Sequence, residues 1–416
     1  MFYINDTTYT ENDLKSLYQS FERMPLLQNP SSKRVAYCTT SLIEGLALCL
    51  YMKEKGGSVV PIHPATPREA AIQIAHRSKS HLLLFGDINT PILMINDHLE
   101  KTGVLVQMSS GTTGEPKCIE RTWEEIEVEI EHYNKLLPVE ADTIPFIACP
   151  ITHSYGLISG VLSAFQRGVQ PRILASTNPK YVLKMLSEKT RYLFYASPAL
   201  LQTLLQFLPD GKALHYVMTS GTLMSSNWLE TLQSKSEKVL QQYGCSEAGC
   251  VAINGNTAFS NEMGIPLTHL SVKAGDRLEN PEEIVIQQGK KTIHTKDLGY
   301  FSKDGKLCLL GRMDDMINVA GLNVYPQEVE EIVARLPEIK EVIAYKKADQ
   351  FAGERVCIQY VADSFIEPNA IREWCHKHLA PHQIPVDYIQ VKEIPKLPNG
   401  KVSRKRMVEG RETARL

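Results

Sequence analysis

Short apolar runs alternate with helix-like segments between residues 34 and 310 of this 416-residue chain. The runs are rich in Val, Ile, Leu and Tyr, and they read KRVAYC, HLLLFG, GVLVQM, IPFIACP, RYLFYAS and LHYVMTSG. Continuous apolar runs of this length are typical of strands that are buried on both faces of a sheet. The pattern therefore predicts an α/β fold in which the strands are largely buried.

One of these runs leads directly into a small, polar segment. GVLVQM is followed at once by SSGTTGEPK, residues 109–117. Glycines let backbone N–H groups approach an anion closely, and hydroxyl groups add further donors. The Walker pattern does not fit, because its second glycine would fall on Pro116 and no Lys-Ser or Lys-Thr pair follows. The segment predicts a phosphate loop of another type, at the carboxyl end of a strand, where α/β sheets bind ligands.

A helix is predicted immediately after this loop. Thr122 and Glu125 match a capping box at its start. Helical spacing then connects four apolar residues, which are Ile126, Ile130, Tyr133 and Leu137. We expect the acidic residues between them to form a solvated face, and these are Glu124, Glu127, Glu129 and Glu131.

The character of the sequence changes near residue 313. Before it, EEIVIQQGKKTIHTKDLGYF and GKLCLLGRMDD alternate as strands of hairpins do, with KDGK as one turn. After it, YPQEVEEIVARL and NAIREWCHKHL read as helices, whereas VIAYKKA and RVCIQYVAD read as strands. We therefore expect a large, multilayered α/β N-terminal domain over residues 1–312. A small α+β domain of ordinary size is expected over residues 313–416.

Composition and charge limit the class of protein. The formal net charge of -2 gives no basic surplus for nucleic acid. No apolar run approaches the ~18 residues that cross a bilayer, since Glu44 interrupts SLIEGLALCLYM. The first residues lack the features of a secretory signal, and the nine cysteines form no regular framework. These features favour a soluble, cytoplasmic protein that binds no nucleic acid.

Five segments, taken in order along the chain, resemble the adenylate-forming enzymes. They are SSGTTGEPK (109–117), YGCSEAG (243–249), TKDLGY (295–300), GRMDDMINVAGLNVYPQEVEE (311–331) and PKLPNGKVSRKRM (395–407). The superfamily includes acyl-CoA synthetases, aryl-acid ligases and peptide-synthetase adenylation domains. The resemblance implies that a carboxylate attacks the α-phosphate of ATP, giving an acyl-adenylate and pyrophosphate, and that a thiol then displaces AMP. It also implies a shortened N-terminal region, because most relatives have a longer segment before the phosphate loop.

The resemblance assigns ATP-binding roles to residues of the first two segments. Glu247 resembles the family's magnesium carboxylate, a hard oxygen ligand beside phosphates. Tyr243 would stack on adenine. The residues expected at the phosphates are Ser109, Ser110, Gly111, Thr112, Thr113, Gly114, Lys117 and Ser246.

The remaining segments supply the ribose site, a hinge and a catalytic lysine. Asp297 would accept both ribose hydroxyls, supported by Arg312. The family usually has glycine where this chain has Lys296. Asp314 resembles the hinge about which the small C-terminal domain swings between the two half-reactions. Lys401 would enter the site only for adenylation, where its ammonium can bridge the carboxylate and the α-phosphate.

The acid itself is narrowed by CPITHSYGLISG, residues 149–160. Peptide-synthetase domains carry an Asp here for the ammonium of an amino acid, whereas this stretch has no acidic residue, so an amino acid is disfavoured. His153 resembles the family's gate at the acid pocket. Ser154 stands where enzymes that activate 2,3-dihydroxybenzoate have Asn, so a 2-hydroxy acid is not favoured. An aryl acid such as 3,4-dihydroxybenzoate and a plain acyl chain both remain open.

Two groups of possible metal ligands are not expected to bind a metal ion. Cys245 and Cys250 have no second cysteine pair to complete a zinc site. The histidines of CHKHLAPH fall where the family has a helix end before a proline loop, so we expect solvent-facing side chains. They are His376, His378 and His382.

The acceptor is expected to be a thiol outside this chain, because only fifteen residues follow Lys401. Either CoA or the phosphopantetheine of a separate carrier protein would serve. Compact aryl-acid ligases of siderophore pathways, of the petrobactin type, resemble the chain in length. The leading hypothesis is thus an acid–thiol ligase that uses ATP and Mg2+. A short- or medium-chain acyl-CoA synthetase is the alternative within the class, and a non-catalytic nucleotide- or acyl-binding relative is the alternative outside it.

Overall fold

A computed structural model describes residues 1–95, 98, 100–109, 117–221, 223–396, 402, 404 and 407. Internal packing divides the chain into two units. The first unit comprises residues 1–220, 236–255 and 267–270. The second unit comprises residues 221–235, 256–266 and 271–416. The domain boundary expected at residues 312 and 313 stays a prediction.

The first unit contains parallel and mixed sheets with helices between the strands. Its strands are β1 (Phe2–Ile4), β2 (Thr7–Tyr9), β3 (Arg34–Cys38), β4 (Ser58–Pro61), β5 (Leu82–Phe85), β6 (Pro91–Leu93), β7 (Val104–Ser109), β8 (Lys117–Thr122), β9 (Ile144–Ile147), β10 (Arg172–Ile173), β11 (Tyr192–Tyr195), β12 (Leu214–Ser220), β13 (Ser236–Cys245) and β14 (Gly249–Asn254). Its helices are α1 (Glu11–Arg23), α2 (Leu42–Glu54), α3 (Arg68–Arg77), α4 (Trp123–Leu136), α5 (Ser163–Gln166), α6 (Pro179–Ser187) and α7 (Pro198–Phe207). A π-helical segment, Tyr155–Leu162, leads directly into α5, and short 3-10 turns lie at Pro25–Leu27 and Pro30–Ser32.

Two strand orders describe the sheets of the first unit. One sheet runs β6-β5-β3-β4-β7-β8, and the other runs β14-β13-β12-β11-β9-β10-β1-β2. The interior pairs of both sheets are parallel, whereas the outer pairs β5/β6, β7/β8, β13/β14 and β1/β2 are antiparallel. Strands β3, β4 and β11 are buried at every position. The predicted α/β fold with largely buried strands is therefore confirmed.

The second unit contains two largely antiparallel sheets, one of which packs against two helices. It contains α8 (Ser226–Ser234), β15 (Glu262–Pro266), β16 (Ser271–Lys273), β17 (Glu282–Gln288), β18 (Lys291–Phe301), β19 (Leu307–Arg312), β20 (Ile317–Val319), β21 (Leu322–Val324), α9 (Pro326–Val333), β22 (Ile339–Asp349), β23 (Gly353–Ala362), α10 (Pro368–His378) and β24 (Asp387–Gln390). A 3-10 turn, Met313–Asp315, follows β19. The strand orders are β16-β17-β18-β19-β15 and β21-β20-β23-β22, with β24 beside β23. The hairpins and the α+β elements predicted from the sequence are confirmed.

Helix α4 confirms most of its sequence pattern and corrects one residue. The Thr122 hydroxyl accepts the Glu125 N–H at 3.1 Å, and the Glu125 carboxylate accepts the Thr122 N–H at 2.9 Å. The four residues of the apolar stripe are buried. The expectation that Glu129 faces solvent is wrong, because it is buried against Arg121. Its spacing explains this, since Glu129 lies three residues after Ile126 and shares the buried face of the helix.

Within the described part of the chain, no helix has both the length and the apolar character that a membrane span requires.

Candidate active site

A tight hairpin turn carries the acidic motif. Strands β13 and β14 are antiparallel, with Cys245 opposite Gly249, so that Ser246, Glu247 and Ala248 form the turn. The pairing shifts register beside Gly244, where a Cβ atom would collide with the backbone of Gly249. Glycine at position 244 thus permits the close approach that makes the turn compact.

Glu247 stands at the centre of this turn and is partly exposed. No hydrogen bond or ion pair joins its carboxylate to another described side chain. No cluster of three or more His, Cys, Asp or Glu ligands occurs among the described residues either. One available carboxylate suits Mg2+ in a nucleotide site, because that ion commonly takes one or two protein carboxylates and completes its coordination with phosphates and waters. The residues present therefore fit a magnesium ion brought with ATP.

Tyr243 and Ser246 flank Glu247 in the same hairpin. Tyr243 is buried within β13, opposite Ala252 of β14. Ser246 is partly exposed at the turn. The adenine-stacking role of Tyr243 and the phosphate role of Ser246 stay predictions.

The predicted phosphate loop falls between β7 and β8, which pair as antiparallel strands. Ser109 pairs with Lys117 at the end of this antiparallel ladder, and the Lys117 side chain is exposed. The loop therefore begins at the carboxyl end of β7, which runs parallel to β4. The predicted phosphate ligands Ser110, Gly111, Thr112, Thr113 and Gly114 lie outside the described residues.

The predicted acid-pocket residues precede the π-helical segment. His153 is exposed, and Ser154 is partly buried. The Ser154 hydroxyl donates a hydrogen bond to Oε1 of Gln107, whose Nε2 lies 3.4 Å from the Thr152 carbonyl oxygen. Gln107 is buried in β7, two residues before the phosphate loop begins. Gln107 was not predicted as a functional residue, although a polar residue inside an otherwise apolar strand is a signal that can be read from the sequence.

A buried polar network was also missed by sequence reasoning. The Tyr133 hydroxyl lies 3.1 Å from the Tyr195 hydroxyl and donates to Gln242 Oε1 at 3.1 Å. Gln242 Nε2 in turn donates to the Ser159 hydroxyl at 3.1 Å. Burial raises the pKa of Tyr133 well above its ordinary value, so the phenol stays protonated. These residues come from four elements that are distant in the sequence, so no local sequence motif predicts their contact.

Tyr155 begins the π-helical segment beside this network. Its ring lies 5.7 Å from the Tyr195 ring, and its hydroxyl donates to the Met218 carbonyl oxygen at 2.5 Å. Burial raises the pKa of the Tyr155 phenol well above its ordinary value. A π-helical turn is rare and is often found at functional sites.

The second unit brings the predicted ribose ligands together. Asp297 of β18 pairs across the ladder with Arg312 of β19, and Arg312 Nη1 lies 3.1 Å from the Asp297 carboxylate. Arg312 Nη2 also lies 3.5 Å from Asp314 in the 3-10 turn. One guanidinium thus connects the predicted ribose carboxylate with the predicted hinge residue.

Lys296, which departs from the family pattern, adopts a conformation that favours glycine. Its φ is +60°, in the left-handed region. The backbone N–H of Lys296 donates to the Glu283 carboxylate at 2.9 Å. A glycine would adopt this φ without strain, so lysine at position 296 carries a conformational cost.

Lys401 lies outside the described residues. Residues on both sides of it are anchored to the second unit: Lys396 and Val402 form an antiparallel bridge, and Met407 packs with Ile343 and Tyr345. The catalytic role of Lys401 stays a prediction.

The histidines and cysteines that were considered as possible metal ligands differ in how exposed their side chains are. His376 and His378 are exposed near the end of α10, and His382 is partly buried beyond it. Cys245 is partly buried, whereas Cys250 is buried. All nine cysteines are free thiols.

Comparison with known proteins assigns the family. The model of the AMP-binding enzymes matches residues 96–289, and that of the AMP-binding enzyme C-terminal domain matches residues 328–401. A 3,4-dihydroxybenzoate–[aryl-carrier protein] ligase from Bacillus anthracis is 39% identical over 415 residues, covering 99% of this chain and 100% of the relative. The chain belongs to the AMP-binding enzyme family. The resemblance to adenylate-forming enzymes is therefore confirmed.

More distant relatives and solved structures match nearly the whole of this AMP-binding enzyme. A 2-succinylbenzoate–CoA ligase from Lactococcus lactis subsp. lactis is 23% identical, covering 97% of this chain and 96% of the relative. Among solved structures, ATP-bound MatB from Rhodopseudomonas palustris has a TM-score of 0.86 at 17% identity, covering 99% of this chain and 96% of that one. The o-succinylbenzoate CoA synthetase MenE from Bacillus subtilis, in complex with its acyl-adenylate intermediate, has a TM-score of 0.82 at 19% identity, covering 97% and 94%. These structures confirm the fold class.

Proposed function

We propose that this AMP-binding enzyme activates 3,4-dihydroxybenzoate with ATP and transfers the aryl group to the phosphopantetheine thiol of a separate aryl-carrier protein. The observation that carries this proposal is the 39% identity, over nearly the whole of both chains, to a ligase named for that reaction. The 2-succinylbenzoate–CoA ligase is only 23% identical over a similar span. An aryl acid loaded onto a carrier protein is therefore favoured over an acid loaded onto CoA. A siderophore pathway is a natural use for such a catechol unit.

The polar groups of the first unit support a hydroxylated aromatic acid. Ser159 belongs to the π-helical segment that starts at Tyr155, and i→i+5 hydrogen bonding brings residues four and five apart to one side of such a segment. The buried hydroxyls of Tyr133, Tyr195 and Ser159 are connected through Gln242. We infer that the acid pocket borders this buried network, whose hydroxyls can donate and accept at once and could then exchange hydrogen bonds with the phenols of a catechol. A plain acyl chain has no polar group that could form hydrogen bonds with these hydroxyls.

The predicted roles divide between activation and nucleotide binding. Lys117, the hydroxyl and glycine residues of the phosphate loop, and Ser246 would bind the phosphates of ATP. Glu247 would hold Mg2+, which neutralises phosphate charge when bound. Tyr243 would stack on adenine, and Asp297 with Arg312 would bind the ribose.

The remaining residues would serve the acid, the adenylation step and the change to thiol transfer. His153 would gate the acid pocket, and Lys401 would stabilise charge at the carboxylate and α-phosphate during adenylation. Rotation of the C-terminal domain about Asp314 would then admit the thiol. The free cysteines agree with a reducing compartment, and we propose that the reaction takes place in the cytoplasm.

The test is pyrophosphate release with ATP and Mg2+ over a panel of acids. The panel contains 3,4- and 2,3-dihydroxybenzoate, 4-hydroxybenzoate, octanoate and several amino acids. Each acid is supplied with CoA, with an aryl-carrier protein bearing phosphopantetheine, or with neither. We expect release with 3,4-dihydroxybenzoate and a mass increase of the carrier protein. Release with octanoate, with a thioester formed only on CoA, would overturn the proposal in favour of an acyl-CoA synthetase.

A further inference from the structure

A buried ion pair connects three segments of the first unit beneath the turn that carries Glu247. Arg121 Nη2 lies 2.5 Å from Glu129 Oε2, and the two side chains are 2% and 1% exposed. The other oxygen of Glu129, Oε1, accepts the backbone N–H of Cys250 at 2.7 Å. Glu129 belongs to α4, Arg121 to β8 and Cys250 to β14. One carboxylate therefore fixes the relative position of all three elements.

The contact with the turn is close. Gly249 has φ of +77°, and a Cβ atom there would collide with both Glu129 and Arg121. Gly249 is also the residue that pairs with Cys245 to close the turn. The ion pair thus packs against the base of the turn, two residues from Glu247, so a shift of Glu129 would shift the turn.

The other end of the ion pair belongs to the strand that leaves the phosphate loop. Arg121 lies four residues after Lys117 in β8, and the ladder to β7 runs without interruption from Lys117 to Thr122. Nε and Nη1 of Arg121 have no hydrogen-bond partner among the described residues. Within that part of the chain, Glu129 is therefore the group that compensates the buried guanidinium charge.

We propose that Glu129 is a positioning residue for ATP and Mg2+. It sets the spacing between the turn that carries Glu247 and the strand that begins at Lys117, without itself contacting the nucleotide. This inference rests on the proposed function for the roles of Glu247 and Lys117. Some residues hold a metal ligand in position without contacting the metal ion. Substituting such a residue commonly lowers metal affinity or activity by about 10- to 100-fold.

The first variant is Glu129→Gln, which keeps the size of the side chain and removes its charge. Its matched control is Glu131→Gln, which removes a charge and an exposed ion pair with Lys135 from the same helix. We expect Glu129→Gln to raise the Kd for ATP with Mg2+ and the half-saturating Mg2+ concentration by roughly tenfold or more. The KM for the acid should change less than about twofold, and the control should match the wild type.

A second variant disturbs the same contact from the turn. Gly249→Ala introduces the colliding Cβ atom, and Gly168→Ala is its control. Gly168 is exposed with φ of +72°, but no atom lies within 4 Å of its added Cβ. Gly249→Ala should reproduce the loss of nucleotide affinity, whereas Gly168→Ala should carry only the backbone strain. This pair decides the question if Glu129→Gln does not fold.

Calorimetric titration with ATP and Mg2+ gives a readout that is independent of turnover. A purely structural role predicts lower melting temperatures for Glu129→Gln and Gly249→Ala with unchanged Kd values, and that result would overturn the inference. If the wild type releases pyrophosphate with none of the acids, the proposed function fails instead. The calorimetric comparison of the variants would still decide whether Glu129 positions the nucleotide site.

Discussion

Arg404 and Asp315 form an ion pair of 2.9 Å within the second unit, although 89 residues separate them in the sequence. The same guanidinium lies 2.7 Å from Glu330 of α9, and its Nε donates to the Ala344 carbonyl oxygen at 2.9 Å. Arg404 is three residues after Lys401, and Asp315 is next to Asp314. The largely buried guanidinium thus connects the segment that follows the predicted catalytic lysine with the turn that contains the predicted hinge.

Arg404→Gln should destabilise the second unit and impair adenylation. Breaking a buried ion pair leaves the partner charges uncompensated and costs about 3 kcal/mol or more of the free energy of unfolding. The measurements are urea denaturation and pyrophosphate release at a temperature where the variant is folded. Lys340→Gln is the control, because its exposed pair with Asp363 contributes about 1 kcal/mol or less. Equal losses in the two variants would contradict the importance of this buried pair.

Double substitution separates stability from catalysis at Arg404. If Arg404 acts through Lys401, then adding Arg404→Gln to Lys401→Ala should not lower the adenylation rate of the folded protein further. Additive losses of adenylation rate would show that the two residues act independently.

Asp297→Asn should weaken ATP binding and leave acid binding unchanged. Asp297 already holds Arg312 at 3.1 Å, so the neutral amide loses both that ion pair and its strongest hydrogen bonds to ribose hydroxyls. A hydrogen bond to a charged group contributes about 1.5–3 kcal/mol, which corresponds to a rise of about 10- to 100-fold in the KM for ATP. The check is steady-state pyrophosphate release with ATP and the acid varied separately. Asp304→Asn, in an exposed turn of the same unit, is the control; an unchanged KM for ATP in Asp297→Asn would remove Asp297 from the ribose site.

The stability of the first unit should fall with acid through His269. Burial, followed by the charges of His132 and Arg121, lowers the pKa of His269 to about 4 from an ordinary value of 6.5. The imidazole is therefore neutral in the folded state while the unfolded state takes up a proton. Above about pH 6.5 the imidazole is neutral in both states and protonation does not lower the free energy of unfolding. As the pH falls from 6.5 towards 4, only the unfolded state takes up the proton, so the free energy of unfolding decreases.

The variant His269→Gln tests this pH dependence. It should flatten the decrease in stability between pH 6.5 and 4, measured by urea denaturation at each pH. His376→Gln, on the exposed face of α10, should keep the wild-type slope. If both variants retain that slope, the acid sensitivity arises elsewhere.

Sequence patterns predicted the elements better than the contacts between them. The apolar runs became buried strands, and Thr122 with Glu125 capped α4, because both signals depend on near neighbours. Glu129 was misplaced because its charge suggested solvent, while its partner Arg121 lies on another element. Gln107 and Ser154 are 47 residues apart, and their contact depends on how β7 packs beside the loop before the π-helical segment. Such pairings are properties of the tertiary fold, which single-sequence periodicity does not contain.

Ser154→Asn should shift the enzyme towards 2,3-dihydroxybenzoate. The Ser154 hydroxyl is engaged with Gln107, and under the proposed acid-pocket role the longer amide of asparagine would extend further and donate to a 2-hydroxyl. A new polar contact of this kind is worth about 1–2 kcal/mol. The ratio of kcat/KM for 2,3- over 3,4-dihydroxybenzoate should therefore rise by about tenfold, measured by pyrophosphate release. Ser187→Asn, at the exposed end of α6, is the control and should leave the ratio unchanged. If Ser154→Asn lowers activity equally with both acids, Ser154 supports the pocket without reading the position of the hydroxyls.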